Sequence, residues 1–263
     1  MNAIVKTGIK SSVRDNVGWI ELDGADRLNP IGTSTYTDIA SAVRDFESDV
    51  QVRAVVIHGA GRAFSAGADI AEISSFADRA QFETFIHGFT DALDVLASSP
   101  LPVIAAVHGA AFGGGLELAL ACDLRVATAD AKLGLPEAKL GVLPGAGGTQ
   151  RLPRILPLGV ATEMLMLGAP ISGRRGYDVG LINVLAETGN VVSCAAQLAR
   201  QLADGSAQVP AALKSLLRAT LTLPLADGIE GERTVAADLF DSADGREGFA
   251  AFVAKRAPSF RRK

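Results

Sequence analysis

Two glutamates sit in settings that raise a question of chemistry. Glu117 lies in "AFGGGLELALACD" (111–123), flanked by Leu116 and Leu118 and placed directly after three glycines. Glu137 follows twenty positions later in "KLGLPEAKLGVLPGAGGTQR" (132–151), immediately after Pro136. Aliphatic neighbours withdraw a carboxyl from water, which disfavours its charged form, raises its pKa and lets it exchange protons near neutrality. Each acid also has a plainer explanation. An acidic residue near a helix start complements the helix dipole, which suits Glu117. Glu137, with Lys132 and Lys139 close by in sequence, could be an exposed, ion-paired residue.

Glycine-rich loops supply the other half of a candidate site. "GAGRAFSAGADI" (59–70) and "HGAAFGGGLELA" (108–119) each follow an apolar run and lead into a helical one. Such loops let a ligand approach bare backbone N–H groups, and a helix start adds positive potential to amides that already point outward. Two of them side by side could direct two N–H groups at one oxygen. That is an oxyanion hole, in which one donor is typically worth about 10²–10³ in rate. Taken alone, the 59–70 loop fits equally well as a tight strand-to-helix turn. It is not a dinucleotide fingerprint, because Phe64 stands where GxGxxG needs its third glycine, and neither Gly-Lys-Ser nor Gly-Lys-Thr occurs in the chain.

The elements that must position these groups are legible as an alternation. Short β-rich runs at 16–22, 52–59 and 101–109 alternate with helical patterns at 34–47, 79–98 and 160–168, an α/β signature. The continuous apolar character of the strands predicts sheets covered on both faces. Glycines mark the joints, and Thr149 is a candidate cap for the helix after "VLPGAGG". No repeat of 20–50 residues stands out, although strand-like runs recur. After about residue 190 the pattern turns wholly helical. Phe240, Phe249 and Phe252 recur there at spacings suited to an apolar stripe, which could cover the core or a neighbouring subunit.

Composition narrows the classes of function. The chain of 263 residues is 48% hydrophobic and 21% charged, enough for one domain, or one domain with a small appendage. A net charge of −4 gives no basic field for nucleic acid, and the basic end, Lys255 to Lys263, reads as a solvated tail. No apolar run reaches a membrane span, and no leader pattern precedes the first strand, so the expectation is a cytoplasmic protein without membrane partners. Cys122 and Cys194 lie far apart and outside any ligand cluster, which predicts reduced, structural thiols and no metal.

"GRAFSAGADI", "VIAAVHGAAFGGGLELALACDLRVA", "LGLPEAKLGVLPGAGGTQRLPR" and "DGREGFAAFVAKRAPSF" together resemble the enoyl-CoA hydratase/isomerase (crotonase) family, in order, from about Gly18 to Phe260. The resemblance implies an α/β fold: a spiral of ββα units over residues 1–195 that carries the thioester site, followed by a helical oligomerisation segment over 196–263. Trimers, commonly paired into hexamers, are the implied assembly. By match to the family's motifs, the N–H groups of Ala66 and Gly114 would form the oxyanion hole. Glu117 and Glu137 fall on the two glutamates with which the family's hydratases handle water, Glu137 being the one credited with the α-carbon proton and Glu117 with activating water. Ala63, Ala66, Gly67, Ala68, Asp69, Ile70, Gly113 and Gly114 are the implied substrate contacts. The resemblance implies no cofactor, coenzyme A being part of the substrate, and a setting in lipid metabolism such as β-oxidation.

The match weakens in two places. Many relatives carry a basic residue after "GADI", where this chain has Ala71, and an "NRP…NAL" stretch where residues 23–31 read "DGADRLNPI". Arg27, and Lys255 from a neighbouring subunit, are the candidates to hold the coenzyme A phosphates. Other readings keep parts of the pattern. An enoyl-CoA isomerase would keep the oxyanion hole and commonly rely on one acid, and a hydratase for branched or ring-derived acyl groups would keep both. A serine hydrolase would have to recruit Ser65, His58 or His108, and Asp69. An RNA-binding member of the family would use the basic tail.

Overall fold

The computed structural model describes residues 4–6 and 8–260. The chain opens with β1 (Ile4–Lys6), β2 (Ile9–Arg14), β3 (Val17–Leu22), β4 (Pro30–Ile31) and α1 (Thr33–Ser48). It continues with β5 (Ala54–Gly59), β6 (Gly67–Ala68), α2 (Ile70–Ile73) and α3 (Arg79–Ser98), then β7 (Val103–Val107), β8 (Ala110–Phe112) and α4 (Gly114–Ala121). Next come β9 (Leu124–Thr128), β10 (Lys132–Gly134), a 3-10 turn at Pro136–Leu140, α5 (Gly148–Ile155) and α6 (Leu158–Leu167). The last elements are β11 (Ile171–Ser172), α7 (Gly173–Asp178), β12 (Val184–Ala186), α8 (Val191–Ala203), α9 (Gln208–Ala219), α10 (Leu225–Asp241) and α11 (Ala243–Val253). The helical patterns expected at 34–47 and 79–98 therefore fall on α1 and α3 to within a residue.

A repeat appears in space that is hard to see in sequence. β5, β7 and β9 are neighbours in a seven-stranded sheet ordered β1-β2-β3-β5-β7-β9-β12. Each is followed by a short strand in a separate small sheet, and then by helical chain: β6 pairs with β4, and β8 and β10 join β11. Successive ββα turns thus wind a spiral, and the short strands set the glycine loops beside one another. In the seven-stranded sheet β3, β5, β7, β9 and β12 run parallel, while β1 and β2 add antiparallel strands at one edge.

The parallel strands read as continuous apolar runs because both faces are covered. Val55, Ile57, Val103, Ala105 and Val107 join the large core beneath α1 and α3. The alternate residues Ala54, Val56, Ile104 and Ala106 meet Val191, Ala195, Ala196 and Ala199 of α8. α8 therefore belongs to the sheet, and it runs through residue 195, where the core was expected to end. The chain leaves the sheet only after Ala203. Beyond it, α9 and α10 contact each other, as do α10 and α11, and the expected aromatic stripe does not fold onto the core: Phe240, Phe249 and Phe252 are all exposed.

Candidate active site

α4 begins where the chain must pass through a left-handed turn. Gly113 has φ +50°, and a Cβ there would come within 2.8 Å of Glu137 Oε1. One turn down α4, Glu117 is 3% exposed, and its Oε1 accepts the N–H groups of Ala146 and Gly148, both at 2.8 Å. Gly148 is the first residue of α5, so the carboxylate of one helix caps the start of the next. Thr149, the expected cap, lies one residue inside α5 and makes no capping bond. Burial dominates the two amide bonds and pushes the Glu117 carboxyl up to about 7. The nearby Glu137 adds to the rise, and Arg151 opposes it.

Glu137 stands on the 3-10 turn, which Pro136 initiates. Its pKa is raised by burial, and its Oε2 is covered yet has no hydrogen-bond partner among the described residues. A buried carboxylate oxygen without a partner is costly to keep, and the ion pair with Lys132 or Lys139 that would mark an ordinary surface residue is absent among the described residues. Glu137 thus lies against the Gly113 turn that opens α4, and its carboxyl is near enough to that of Glu117 to act on it. Glu117 has an oxygen pinned by backbone amides, and Glu137 has a covered oxygen with no partner among the described residues.

The backbone donors need one correction. The Ala66 N–H donates to the Leu28 carbonyl at 2.8 Å, so that amide is already engaged. The strand register explains it: Asp69 donates to Ile31 across the β4–β6 pair, and the intervening Ala68 amide is turned to the other side. A Cβ added to Gly114 would lie 3.2 Å from Ala68 N, and one added to Gly67 would lie 3.2 Å from Gly114 N. The amide that faces Gly114 is thus that of Ala68, two residues on. Gly114 N begins α4, where helical geometry leaves it without an intrahelical partner.

Several residues that hold this arrangement were not singled out from sequence. Asn29, 2% exposed, donates from Nδ2 to the carbonyls of Ala60, Ala63 and Phe64 and accepts from Gly24 N. It fastens the 59–70 loop to the turn before β4. Its φ of +55° is one that asparagine tolerates better than most residues, and the Asn-Pro pair was the only local signal. Phe89 of α3 covers Gly114, since a Cβ on Gly114 would meet its ring edge at 2.7 Å. Phe89 stacks on Tyr36 and meets Phe85 edge-on.

Other expected residues scatter. Ala63 and Gly67 are buried in the loop and Ile70 is exposed on α2. Asp69 caps α2 and pairs with Arg27 at 2.9 Å, on the rim. Lys255 is exposed just after α11, in the segment beyond the sheet. The hydrolase alternative fails on geometry, because the buried Ser65 hydroxyl donates to Asn29 O and accepts from Gly67 N. His58 meets Trp19 edge-on, and His108 Nε2 lies 3.0 Å from Gly61 O. Cys122 is buried, its thiol pushed up to about 12 by desolvation, and both cysteines are free. Among the described residues no helix is long and apolar enough to cross a membrane, and no cluster of three or more His, Cys, Asp or Glu could hold a metal. Of the basic tail, Arg256 is already paired with Glu247, and residues 261–263 lie outside the described residues.

Comparison with known proteins decides what this geometry belongs to. The family model for enoyl-CoA hydratase/isomerase matches residues 12–263. The chain belongs to that family. A probable enoyl-CoA hydratase of Bacillus subtilis is 40% identical over 89% of this chain and 91% of its own length. The mitochondrial enoyl-CoA hydratase of Pongo abelii is 35% identical over 96% of this chain and 86% of its own. The crystal structure of an enoyl-CoA hydratase from Polaromonas sp. JS666 superposes with a TM-score of 0.94 at 33% identity, covering 96% of this chain and 99% of that one. Family membership accounts for the ββα spiral and for the helical segment that follows it.

Proposed function

We propose that this protein is an enoyl-CoA hydratase, adding water across the double bond of a 2-trans-enoyl-CoA to give a 3-hydroxyacyl-CoA. The observation that carries the reading is the pairing of two desolvated carboxyls, Glu117 and Glu137, beside two backbone amides. The N–H groups of Ala68 and Gly114 receive the thioester oxygen. Polarising that carbonyl draws charge out of the conjugated system and makes the β-carbon electrophilic, and the amides stabilise the enolate oxygen that forms. Glu117, with Oε1 held by Ala146 and Gly148, takes a proton from water through its other oxygen as the hydroxyl adds to the β-carbon. Glu137 starts protonated and delivers its proton to the α-carbon, and the proton taken up by Glu117 returns to Glu137 through solvent before the next turnover, so that one water is added in all. Both carboxyls titrate as an interacting pair. No electrons change hands, so the reaction as drawn calls for no redox cofactor.

The rest of the reading follows from the surface. Exposed Arg27, paired with Asp69, would share its charge with a coenzyme A phosphate, and Lys255 of a neighbouring subunit would add a second. Exposed apolar residues on α6 and on the 3-10 turn it contacts, among them Leu140, Leu158 and Met166, and the apolar groove lined by Phe240, Phe249 and Phe252, suit a head-to-tail contact that closes as a trimer, with pairing into a hexamer as a further step. A cytoplasmic setting agrees with two free cysteines, and β-oxidation is a route that uses this hydration.

The test is turnover on a panel of short, medium and long 2-enoyl-CoA thioesters, with a 3-enoyl-CoA alongside, each followed by mass and absorbance. Gain of one water on the 2-enoyl substrates supports the reading. Conversion of the 3-enoyl substrate without hydration would replace it with an isomerase.

A further inference from the structure

One charged side chain beside the acids is left without a role by this chemistry. Arg151, on α5, keeps only 19% of its side chain exposed and spans two elements. Its Nη1 donates to the Ala146 carbonyl at 2.9 Å, and its Nη2 to Asp94 on α3 at 2.6 Å. Ala146 is the buried residue whose own N–H holds Glu117 Oε1. The guanidinium also lies so close along the turn that a Cβ on Gly147 would come within 2.2 Å of Nη1. A surface ion pair of this kind contributes little by itself, but here one end of the arginine is a buried carbonyl in the turn that grips a reacting group.

We propose that Arg151 is a positioning residue for hydration: it fastens the Ala146–Gly148 turn to α3, so that Glu117 keeps one oxygen on the turn amides and presents the other to water. This rests on the hydratase reading. It differs from a purely structural role because the same guanidinium also acts electrostatically on the carboxyl, opposing the larger effect of burial. The charged groups that act on Glu117 are Glu137 from the 3-10 turn, which raises its pKa, and Arg151 from α5, which lowers it. Of the other charges on the surrounding elements, Arg154 is turned to Gln150, Asp94 is neutralised by Arg151, and Lys139 and His87 are exposed.

The experiment uses the full chain with Arg151→Gln and Arg151→Lys, and reads three things. Hydration of crotonyl-CoA is measured from pH 5 to 9, and amide hydrogen exchange is followed at Ala146 and Gly148, with α8 as internal reference. For Arg151→Gln, kcat falls about 10–10²-fold, as misplacement of a reacting group predicts, and KM stays within about twofold because the residue touches no substrate atom. The acidic limb of the pH profile moves to higher pH, since a base that has lost a positive neighbour binds its proton more tightly. Exchange at Ala146 and Gly148 quickens while α8 is unchanged. Arg151→Lys restores the limb and only part of kcat, because one ammonium does not reproduce a fork to two partners. An unmoved limb with unchanged exchange at the turn overturns the proposal, and so does exchange that quickens uniformly along the chain. The exchange arm needs no turnover: a wild type inactive on every thioester would refute the hydratase reading, while exchange at Ala146 and Gly148 still decides whether Arg151 holds the turn.

Discussion

Glu117 shows how one side chain serves packing and chemistry at the same time. Its folded pKa near 7 lies above the usual carboxylate value of 4.5, so the native state binds the proton more tightly than the unfolded chain. The associated stability is fully present below about pH 4.5 and is lost as pH rises through about 7, an effect on the order of 3 kcal/mol. Glu117→Gln keeps an oxygen for the Ala146 and Gly148 amides and carries no charge, so its Tm should exceed that of the wild type by a margin that grows from pH 5 to pH 8. Calorimetry across that range checks it, and a margin independent of pH would mean that the carboxyl is not desolvated. Residue type and aliphatic neighbours drew attention to Glu117, whereas Glu137, with Lys132 and Lys139 close by in sequence, was paired with it only through the family resemblance. The donor amide was not legible, because which of Ala66 and Ala68 faces Gly114 depends on strand register, and a run of small residues does not encode that.

Elements matter here chiefly through their ends. The chain reaches α4 through Gly113 and α5 through Gly147 and Gly148, and each glycine removes a Cβ that would strike a glutamate or its arginine. Gly148→Ala places a methyl 3.0 Å from Glu117 Oε1, and Gly113→Ala adds a left-handed φ to a clash with Glu137. Both variants should fold with a loss of about 1–3 kcal/mol and lose more activity than the fall in stability explains, as denaturant titration and kinetics on the same samples would show. Helix and strand positions were legible because apolar periodicity is strong in a core covered on both sides. The cap of α5 was not, because it comes from Glu117 on another helix, and no local rule points there. The end of the core at α8 was missed for a related reason: its small residues Ala195, Ala196 and Ala199 pack on the sheet without the bulky stripe that announces a core helix.

At the scale of the molecule, the structured core leaves apolar surface uncovered. Phe252 is 84% exposed and lines one apolar groove with Phe240, Phe249 and Phe260, and the assembly proposed above would cover a patch of this kind. If the chain assembles through this face as proposed, Phe249→Glu combined with Phe252→Glu should give monomers by analytical ultracentrifugation while α4 and its acids stay folded. If Lys255 reaches a neighbour's coenzyme A, KM should rise several-fold with kcat less affected. A double variant that sediments as the wild type would remove this face from the assembly. The sequence's aromatic spacing predicted the stripe, but whether it covers its own core or another chain depends on where α10 and α11 lie relative to the sheet, which periodicity does not contain.

The central claim is that two acids act together on one water, and hydration of crotonyl-CoA tests it most directly. Loss of the conjugated-enoyl absorbance is followed for the wild type, Glu117→Gln and Glu137→Gln, with thioester binding measured on the same proteins. The account predicts an active wild type, and in each variant a fall in kcat of about 10²–10⁴-fold with binding retained. Full activity after removal of either glutamate, or an inert wild type that binds the thioester, would contradict it.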